Sequence, residues 1–539
     1  MKEGGMRIAV LLLGTLLLLS ADAVEPSVSW GAGRKKVVSS GWEWRYMTPS
    51  DYVKCADRID ETGLDGVVVY ITVAGHDGDQ EWMSHRISDG KIAWTKDMVA
   101  DQVSDFRKVT AHPGMRESFI RSLGSPRTRL DWADDALWGK IAKNMGVLAW
   151  LAKQGGFRGL AVDPEDYSQA KQFKRRPGDE PWDVLAPLAR RRGREIFSEV
   201  FKEYPEAVVF FYWLLSWEID NVTSNDSLAA ARTTGDLWPA FVNGILDVMP
   251  PTAQLVDGAE WAYKIEASRH EFSAWGVAER NAEFGLVDPE NRAKYRGQVL
   301  PSFGHYLDSY TNPETNAAGK ASEYYFGPEN GSRLGHFERN LASSLRNCGG
   351  YVWLWGETYS WITHDPSQRM IRAVRHELWS DKLPGINAVL RVCANPKAFL
   401  AKDLPVLRQA GLMRNLKSDV DVARLSAEAK AGGRKRFSVR IPANEVRPGT
   451  HYVLAVDGHG DGLNVGIWWG NRLPTVRIAL KKIDDARHRG VMVVSVPEDA
   501  NGMIIDFNMR PDPGQTCAFD NFYLGIVPSE MKQNERKGN

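Results

Sequence analysis

The chain has 539 residues, more than one hydrophobic core usually organises, so at least two structural units are expected. Its 68 basic and 68 acidic side chains cancel, leaving no net field to draw it to nucleic acid or an anionic membrane. Four cysteines without close spacing, Cys55, Cys348, Cys393 and Cys517, exclude a disulfide framework and a zinc motif, and read as buried free thiols.

Residues 1–23 read as an export signal. Lys2 and Arg7 precede an apolar run from Ile8 to Leu19, and Ala21-Asp22-Ala23 offers a small-residue cleavage site. That run is short for an anchor, and no later stretch reaches the ~18 apolar residues of a membrane span. A secreted or periplasmic protein is expected.

From Val37 onward apolar strands alternate with amphipathic helices, which predicts a parallel sheet with helical crossovers. Strand one, Val37–Trp44, ends in Trp42, Glu43 and Trp44. Thr48-Pro49-Ser50-Asp51 then starts a helix with a capping hydroxyl and a proline at the first helical position. Strand two is Gly66–Val73 and strand three lies near Ser118–Leu123. Leu137, Ile141, Met145, Leu148 and Ala152 recur at helical spacing, between Asp134-Asp135 and the stop Gly155-Gly156.

The next stretch, Gly156 to Tyr167, is the one that carries chemistry. Side chains alternate along a strand, so Gly159, Ala161, Asp163 and Glu165 share one face while Leu160 and Val162 share the other. Strand five, Val208–Trp217, carries Tyr212, Trp213 and Trp217. Strand six, Gln254–Tyr263, carries Asp257, Glu260 and Trp261. Strand seven, Val299–Tyr310, carries His305 and Tyr306, and strand eight, Tyr351–Trp355, runs through Trp353 and Trp355 into Glu357. An eighth helix is expected around Ile371, Val374 and Leu378. Eight such units predict an α/β fold, a (β/α)8 TIM barrel over residues 24–404. An open doubly wound sheet would want a glycine-rich phosphate turn after strand one, and Trp42-Glu43-Trp44-Arg45 is not one.

Past Pro405 helical periodicity gives way to short alternating runs. These include Arg436–Ile441, Tyr452–Val456, Asn464–Trp469, Val491–Val496 and Gly502–Asn508, and they predict a jelly-roll-like β-sandwich over residues 405–530. Residues 531–539 form a polar tail.

Carboxyls at the C-terminal ends of barrel strands read as catalytic. Asp163 beside Glu165 would raise the pKa of the glutamate and hold its proton for a leaving oxygen, as glycosidic cleavage requires. Glu357, Asp257 and Glu260 are candidates for the second carboxyl. The twenty tryptophans cluster at strand ends, where indole faces can stack on sugar rings. Trp42, Trp44, Tyr212, Trp213, Trp217, Trp261, Tyr306, Trp353 and Trp355 are therefore expected around one mouth, with Glu43 and His305 as hydroxyl partners. No cofactor and no metal are called for. His76 to Glu81 has calcium-like acid spacing but reads as a solvated loop, and Arg190-Arg191-Arg192-Gly193-Arg194 reads as a solvated helix face that could meet an anionic glycan.

Gly156-Phe157-Arg158-Gly159-Leu160-Ala161-Val162-Asp163-Pro164-Glu165 resembles the fourth strand of chitinase-like glycoside hydrolases. The resemblance implies a supporting role for Asp163 and a general-acid role for Glu165, although Ala161 stands where that family has a further aspartate. Gly349-Gly350-Tyr351-Val352-Trp353 is similar to the eighth strand of the same enzymes, and Phe519-Asp520-Asn521 to the closing strand of jelly-roll carbohydrate-binding modules. The implied function is hydrolysis of a poly- or oligosaccharide. A non-catalytic glycan-binding protein on a degenerate barrel and a polysaccharide lyase are the alternatives. The lyase needs a basic group beside a uronate, and basic residues are thin at the expected strand ends.

Overall fold

Short runs of β-branched and aromatic residues, each too brief to be stable alone, pair side by side in chain order. In the computed structural model the described residues are 34–76, 79–216, 229–267, 272, 283–329, 332–364, 377–394, 435–441, 451–469, 476–478, 480–482, 487–497, 500–510 and 517–526. The parallel strands are β1 (Lys36–Gly41), β2 (Gly66–Val69), β3 (Phe119–Gly124), β4 (Gly159–Asp163), β5 (Val208–Phe211), β6 (Gln254–Asp257), β7 (Val299–Pro301), β8 (Gly304–Tyr306) and β9 (Tyr351–Gly356). Their order in the sheet is β7-β6-β5-β4-β3-β2-β1-β9-β8. The two outermost members are successive pieces of one stretch of chain. Ser302 N–H donates to the Asp257 carbonyl at 2.8 Å on one side, and Trp353 N–H donates to the Phe303 carbonyl at 3.1 Å on the other. The sheet thus curls back toward its own start, with helices outside it, as an α/β barrel.

Alternation along the strands sorts the side chains. Ile120, Leu160, Val162, Val209, Phe211 and Leu255 face outward into the apolar layer shared with the helices. Inside, Phe119, Phe210 and Tyr351 meet edge-on at 5.4–6.0 Å. Two residues nearer the C-terminal ends, Tyr212 stacks on Trp353 at 4.4 Å. These rings fill the interior and form a floor under whatever sits at the mouth.

Helix boundaries follow local chemistry. Thr48 Oγ1 accepts from Asp51 N–H and the Asp51 carboxylate accepts from Thr48 N–H, a capping box with Pro49 at the first helical position. The 135–155 helix starts on the Asp134 side chain and stops at Gly156 with φ +82°, as its flanking residues predict.

Five strand ends differ from expectation. Strand two stops at Val69 instead of Val73. Trp42–Trp44 form a turn of 3-10 helix after β1, and Glu260–Lys264 form another after β6. Strand seven is split at Ser302-Phe303 and closes with a 3-10 turn at Leu307–Tyr310. Strand five ends at Phe211, and Trp217 lies outside the described residues, as do Ile371 and Val374. The last described helix of this part is instead Ile386–Ala394.

Between residues 435 and 526 the chain makes two four-stranded antiparallel sheets. One pairs Lys435–Ile441, Met503–Met509, Leu463–Trp469 and Val476–Ile478, and the other Lys481–Lys482, Arg487–Ser495, His451–His459 and Ala518–Ile526. Val465, Ile467 and Trp469 are buried while Trp468 is 45% exposed, as period-two alternation requires. Among the described residues no helix is long and apolar enough to cross a membrane.

The 182–203 and 238–248 helices cross at glycines: a Cβ on Gly244 would lie 2.0 Å from the Arg190 carbonyl, and one on Gly193 2.2 Å from that of Phe241. Gly244→Ala gains up to ~1 kcal/mol of helix propensity but must push the helices apart, which costs more. Urea unfolding is expected to show a net loss of about 1–3 kcal/mol. A variant as stable as the parent would contradict this crossing.

Candidate active site

Three strands deliver the acidic centre. Asp163 closes β4 on the barrel's inner face, and its carboxylate accepts the Glu165 N–H at 3.0 Å, folding the chain into a tight Asx turn. Pro164, lacking an N–H, fits between them. Arg121 on β3, paired in register with Ala161, donates through Nη2 to the other oxygen of Asp163. Its guanidinium also lies 4.5 Å over the Tyr212 ring. The Tyr167 hydroxyl donates to Glu165, and Tyr167 is 80% exposed, so the centre opens to solvent.

The third carboxyl arrives from β6 by a turn. Gly258 N–H donates to the Phe211 carbonyl at 2.8 Å and Glu260 N–H to the Tyr212 carbonyl at 3.0 Å. A Cβ on Gly258 would sit 2.5 Å from the Phe211 carbonyl, so only glycine fits there. Ala259 then takes φ +40°, a left-handed conformation unusual for a residue with a side chain. The result swings Glu260 inward. Carboxylate oxygens of Asp163, Glu165 and Glu260 all lie within 4.8 Å of one another.

Electrostatics follow from this crowding. Two like charges ~5 Å apart repel by roughly 3 kcal/mol at an effective dielectric of about 20. Burial and then the charge of Asp163 push the Glu165 pKa up to about 6, against the Tyr167 hydroxyl and Arg121, which pull it down. Glu260 is raised well above the usual carboxylate range by burial, then by Asp163 and Glu165, with Arg121 and Tyr263 opposing. Three oxygens at this spacing could also ligate a cation, but Asp163 already has a fixed positive partner in Arg121.

Other expected residues lie elsewhere. Asp257 points away from the mouth: its carboxylate accepts the N–H groups of Leu214, Leu215 and Ser216, each at 2.8 Å, and the Ser216 hydroxyl. It shapes the loop after β5 rather than serving as an acid or base. Glu357 is exposed on the rim, accepting from Trp355 Nε1 at 3.0 Å and from the Tyr306 hydroxyl at 3.2 Å, apart from the three-carboxyl cluster. Glu43 is buried and accepts Trp361 N–H at 2.7 Å, so it fastens a loop instead of meeting a sugar hydroxyl. His305 faces outward, hydrogen-bonded to Ser344 at 2.8 Å, its pKa lowered by burial to about 3. Trp44 is fully buried in the core. Tyr212 and Trp353 belong to the interior floor, with Trp353 Nε1 donating to the Gly258 carbonyl at 2.7 Å. Trp213 and Trp261 are half-buried against the core. Trp42 and Trp355 remain at the mouth, edge-to-face at 5.7 Å.

Sequence reasoning missed Arg121 and Tyr263, and counted Tyr167 only as part of the stretch. The available signal for Arg121 was an arginine one strand position after Ile120, on the same face as Phe119. A cavity of about 260 Å³ is lined by residues that follow β1 and β2, including Tyr46, Thr48 and Thr72, with Gln102 and Asp105, and does not include the three carboxyls. The acidic centre meets solvent through part-buried Glu165 and exposed Tyr167.

No family model and no curated protein match the chain. Among solved structures, a glucosidase from Croceicoccus marinus is 10% identical, the match spanning 88% of this chain and 96% of that one with a TM-score of 0.36. A GH18 chitinase from Pseudoalteromonas aurantia is 10% identical over 60% of this chain and 93% of that one, with a TM-score of 0.28. The match to the enzymatically active domain of bacteriophage CBA120 tailspike protein 4 is 19% identical but spans 19% of this chain and 15% of that one, with a TM-score of 0.17. At these scores none of them bears on function.

A carboxyl whose folded pKa is raised destabilises the protein once it must ionise. Below the unfolded pKa near 4.3 Glu165 is neutral in both states and costs nothing; the cost grows as pH rises and is complete above about 6. Glu165→Gln is therefore expected to raise stability by on the order of 1–2 kcal/mol at pH 7–8, with the gain vanishing below about pH 4. Denaturant unfolding across that range checks it; a gain independent of pH would contradict the shift.

Proposed function

We propose that this protein is a glycoside hydrolase that breaks a poly- or oligosaccharide by carboxyl catalysis at the mouth of a (β/α)8 barrel. The observation that carries this reading is the cluster of Asp163, Glu165 and Glu260, three carboxyls within 4.8 Å beside one arginine. Cleavage needs a proton for the leaving oxygen and a negative group against the oxocarbenium-like centre. One proton shared by Glu165 and Glu260 supplies both at once. Glu165, pKa about 6 and open to solvent through Tyr167, is the general acid. Glu260, once its proton has moved to Glu165, is the nucleophile, and Asp163 with Arg121 holds Glu165 in place. The spacing falls short of the roughly 6.5–9.5 Å that leaves room for a water between the carboxyls, so the anomeric configuration is retained.

Two further parts belong to the proposal. Residues 1–23 direct export, so the N-terminus of protein recovered from its producing cells should follow Ala23. The two C-terminal sheets form a sandwich that holds glycan through the exposed Trp468, and Trp468→Ala should weaken retention on insoluble polysaccharide.

A glycan panel identifies a hydrolysed substrate, and the variants are then measured on it. Glu165→Gln and Glu260→Gln should each lower kcat about 10²–10⁴-fold with the fold intact by circular dichroism. Proton NMR of the fresh product should show the substrate's anomer. Full activity in either variant removes that residue from the mechanism, and an inverted product removes Glu260 as nucleophile. Tight binding without released reducing ends in the parent would favour the non-catalytic alternative.

A further inference from the structure

Four guanidinium groups, Arg45, Arg86, Arg121 and Arg127, surround His85, and one of them, Arg121, is bonded to the carboxyl cluster. Two are answered by acids: Arg121 by Asp163, and Arg127 by Asp89 at 2.7 Å and Glu81 at 3.3 Å. The other two, Arg45 and Arg86, have no carboxylate within ion-pair distance among the described residues. Arg45 Nη2 lies 3.2 Å from His85 Nε2, and its guanidinium is 5.2 Å from the Trp42 ring centre. The His85 ring meets Tyr70 edge-on at 5.4 Å.

Arginine can only donate, so His85 Nε2 accepts and its proton sits on Nδ1. Burial, then Arg45, Arg121, Arg86 and Arg127, hold the His85 pKa down at about 2, so the ring stays neutral and Nδ1–H is a donor. Among the described residues that nitrogen has no hydrogen-bond partner, and nor do Arg45 Nε, Arg86 Nε, or Arg121 Nε and Nη1, all of them buried atoms. Each buried donor left unmet costs about 1–3 kcal/mol, and native proteins seldom carry several together. Sugar hydroxyls could accept these hydrogen bonds. They would not balance the charge of Arg45, or that of Arg86, which Asp89 offsets from beyond ion-pair distance while paired with Arg127.

The contrast within the chain sharpens the point. Arg190, Arg191, Arg192 and Arg194, the run that suggested an anionic glycan from sequence, are all spent: Arg190 and Arg194 on Asp247, Arg191 and Arg192 on Asp135 and Glu195. The cations without an ion-paired carboxylate among the described residues are Arg45, just after β1, and Arg86, in the 3-10 turn Ser84–Asp89.

Resting on the glycosidase reading, we infer that the sugar bound next to Asp163, Glu165 and Glu260 carries an anionic substituent, a uronate carboxylate or a sulfate ester, received by Arg45, Arg86 and His85. Planar guanidinium forks match either group with paired hydrogen bonds. Asp163, held by Arg121, separates the anion from the carboxyls that must exchange protons.

The test uses full-length Glu165→Gln protein, so that no turnover complicates binding. Its thermal midpoint is measured with D-glucuronate, D-glucose, sodium sulfate and sodium chloride at constant ionic strength. Glucuronate, sulfate or both should raise the midpoint by about 1–3 °C at saturation, and glucose and chloride should not. A shift with glucuronate alone assigns the carboxylate, and one with sulfate alone the sulfate ester. Adding Arg45→Gln and Arg86→Gln should abolish the shift, while lysine at both positions restores part of it. If the glutamine pair does not fold, Arg86→Gln alone takes its place and should reduce the shift. Absence of any anion-specific shift, or an equal shift without the arginines, overturns the inference. Hydrolysis of a neutral glycan with no anion shift leaves the glycosidase reading standing; an anion shift with no hydrolysis of any glycan removes that reading and keeps the site. An unsaturated product would make the same anion site part of a lyase.

Discussion

One arginine faces three carboxyls. Arg121 can neutralise a single negative charge, and it is committed to Asp163, so Glu165 and Glu260 must share what room is left. Repulsion of roughly 3 kcal/mol per close pair corresponds to about two pKa units, enough to keep a proton in the cluster near neutral pH. The proposed hydrolysis would draw on that retained proton. The titration belongs to the cluster rather than to either glutamate alone.

Holding such a cluster requires rigid support from below. Aromatic rings on β5 and β9 close the barrel interior, and the Arg121 guanidinium rests on the Tyr212 ring. Trp353, within that floor, fixes the turn that carries Glu260 by donating to the Gly258 carbonyl. The turn itself stores strain. Ala259 sits at φ +40°, and left-handed backbone at a residue with a Cβ costs on the order of 1–3 kcal/mol, sustained only where the surroundings over-determine it. Of the described tryptophans read from the sequence as sugar platforms, Trp353 builds the floor, Trp44, Trp213 and Trp261 pack in or against the core, and Trp42 and Trp355 stand at the mouth.

Strand and helix order was legible because periodicity and caps are local. Thr48-Pro49 and Gly155-Gly156 mark helix ends by chemistry that needs no tertiary contact. Asp163 was legible too, since alternation on β4 places it at the strand's inner end, whereas Glu165 lies past the strand and joins it through the Asx turn rather than by the alternation expected. Glu260 and Asp257 could not be separated by the same rule. Counting period two from Asp257 assumes a straight strand, and the Gly258-Ala259 turn breaks the count. His305 failed through a different gap: the strand splits at Ser302-Phe303, and nothing in its sequence shows which face survives the split. Ion pairs were the least legible feature. Arg190 to Arg194 looked available and are bound by acids, several of them distant in sequence, whereas Arg45 and Arg86, unremarkable as letters, have no carboxylate within ion-pair distance among the described residues, Asp89 acting on Arg86 from farther off.

The most direct measurement is a carbon-13 NMR titration of the glutamate and aspartate side-chain carboxyls, assigned by single substitution. The Glu165 signal should change near pH 6 and the Glu260 signal well above the usual carboxylate range, with each curve moving when the other residue becomes glutamine. Independent titration of both glutamates near pH 4, each unaffected by replacement of the other, would show that they share no proton and would contradict the account at its centre.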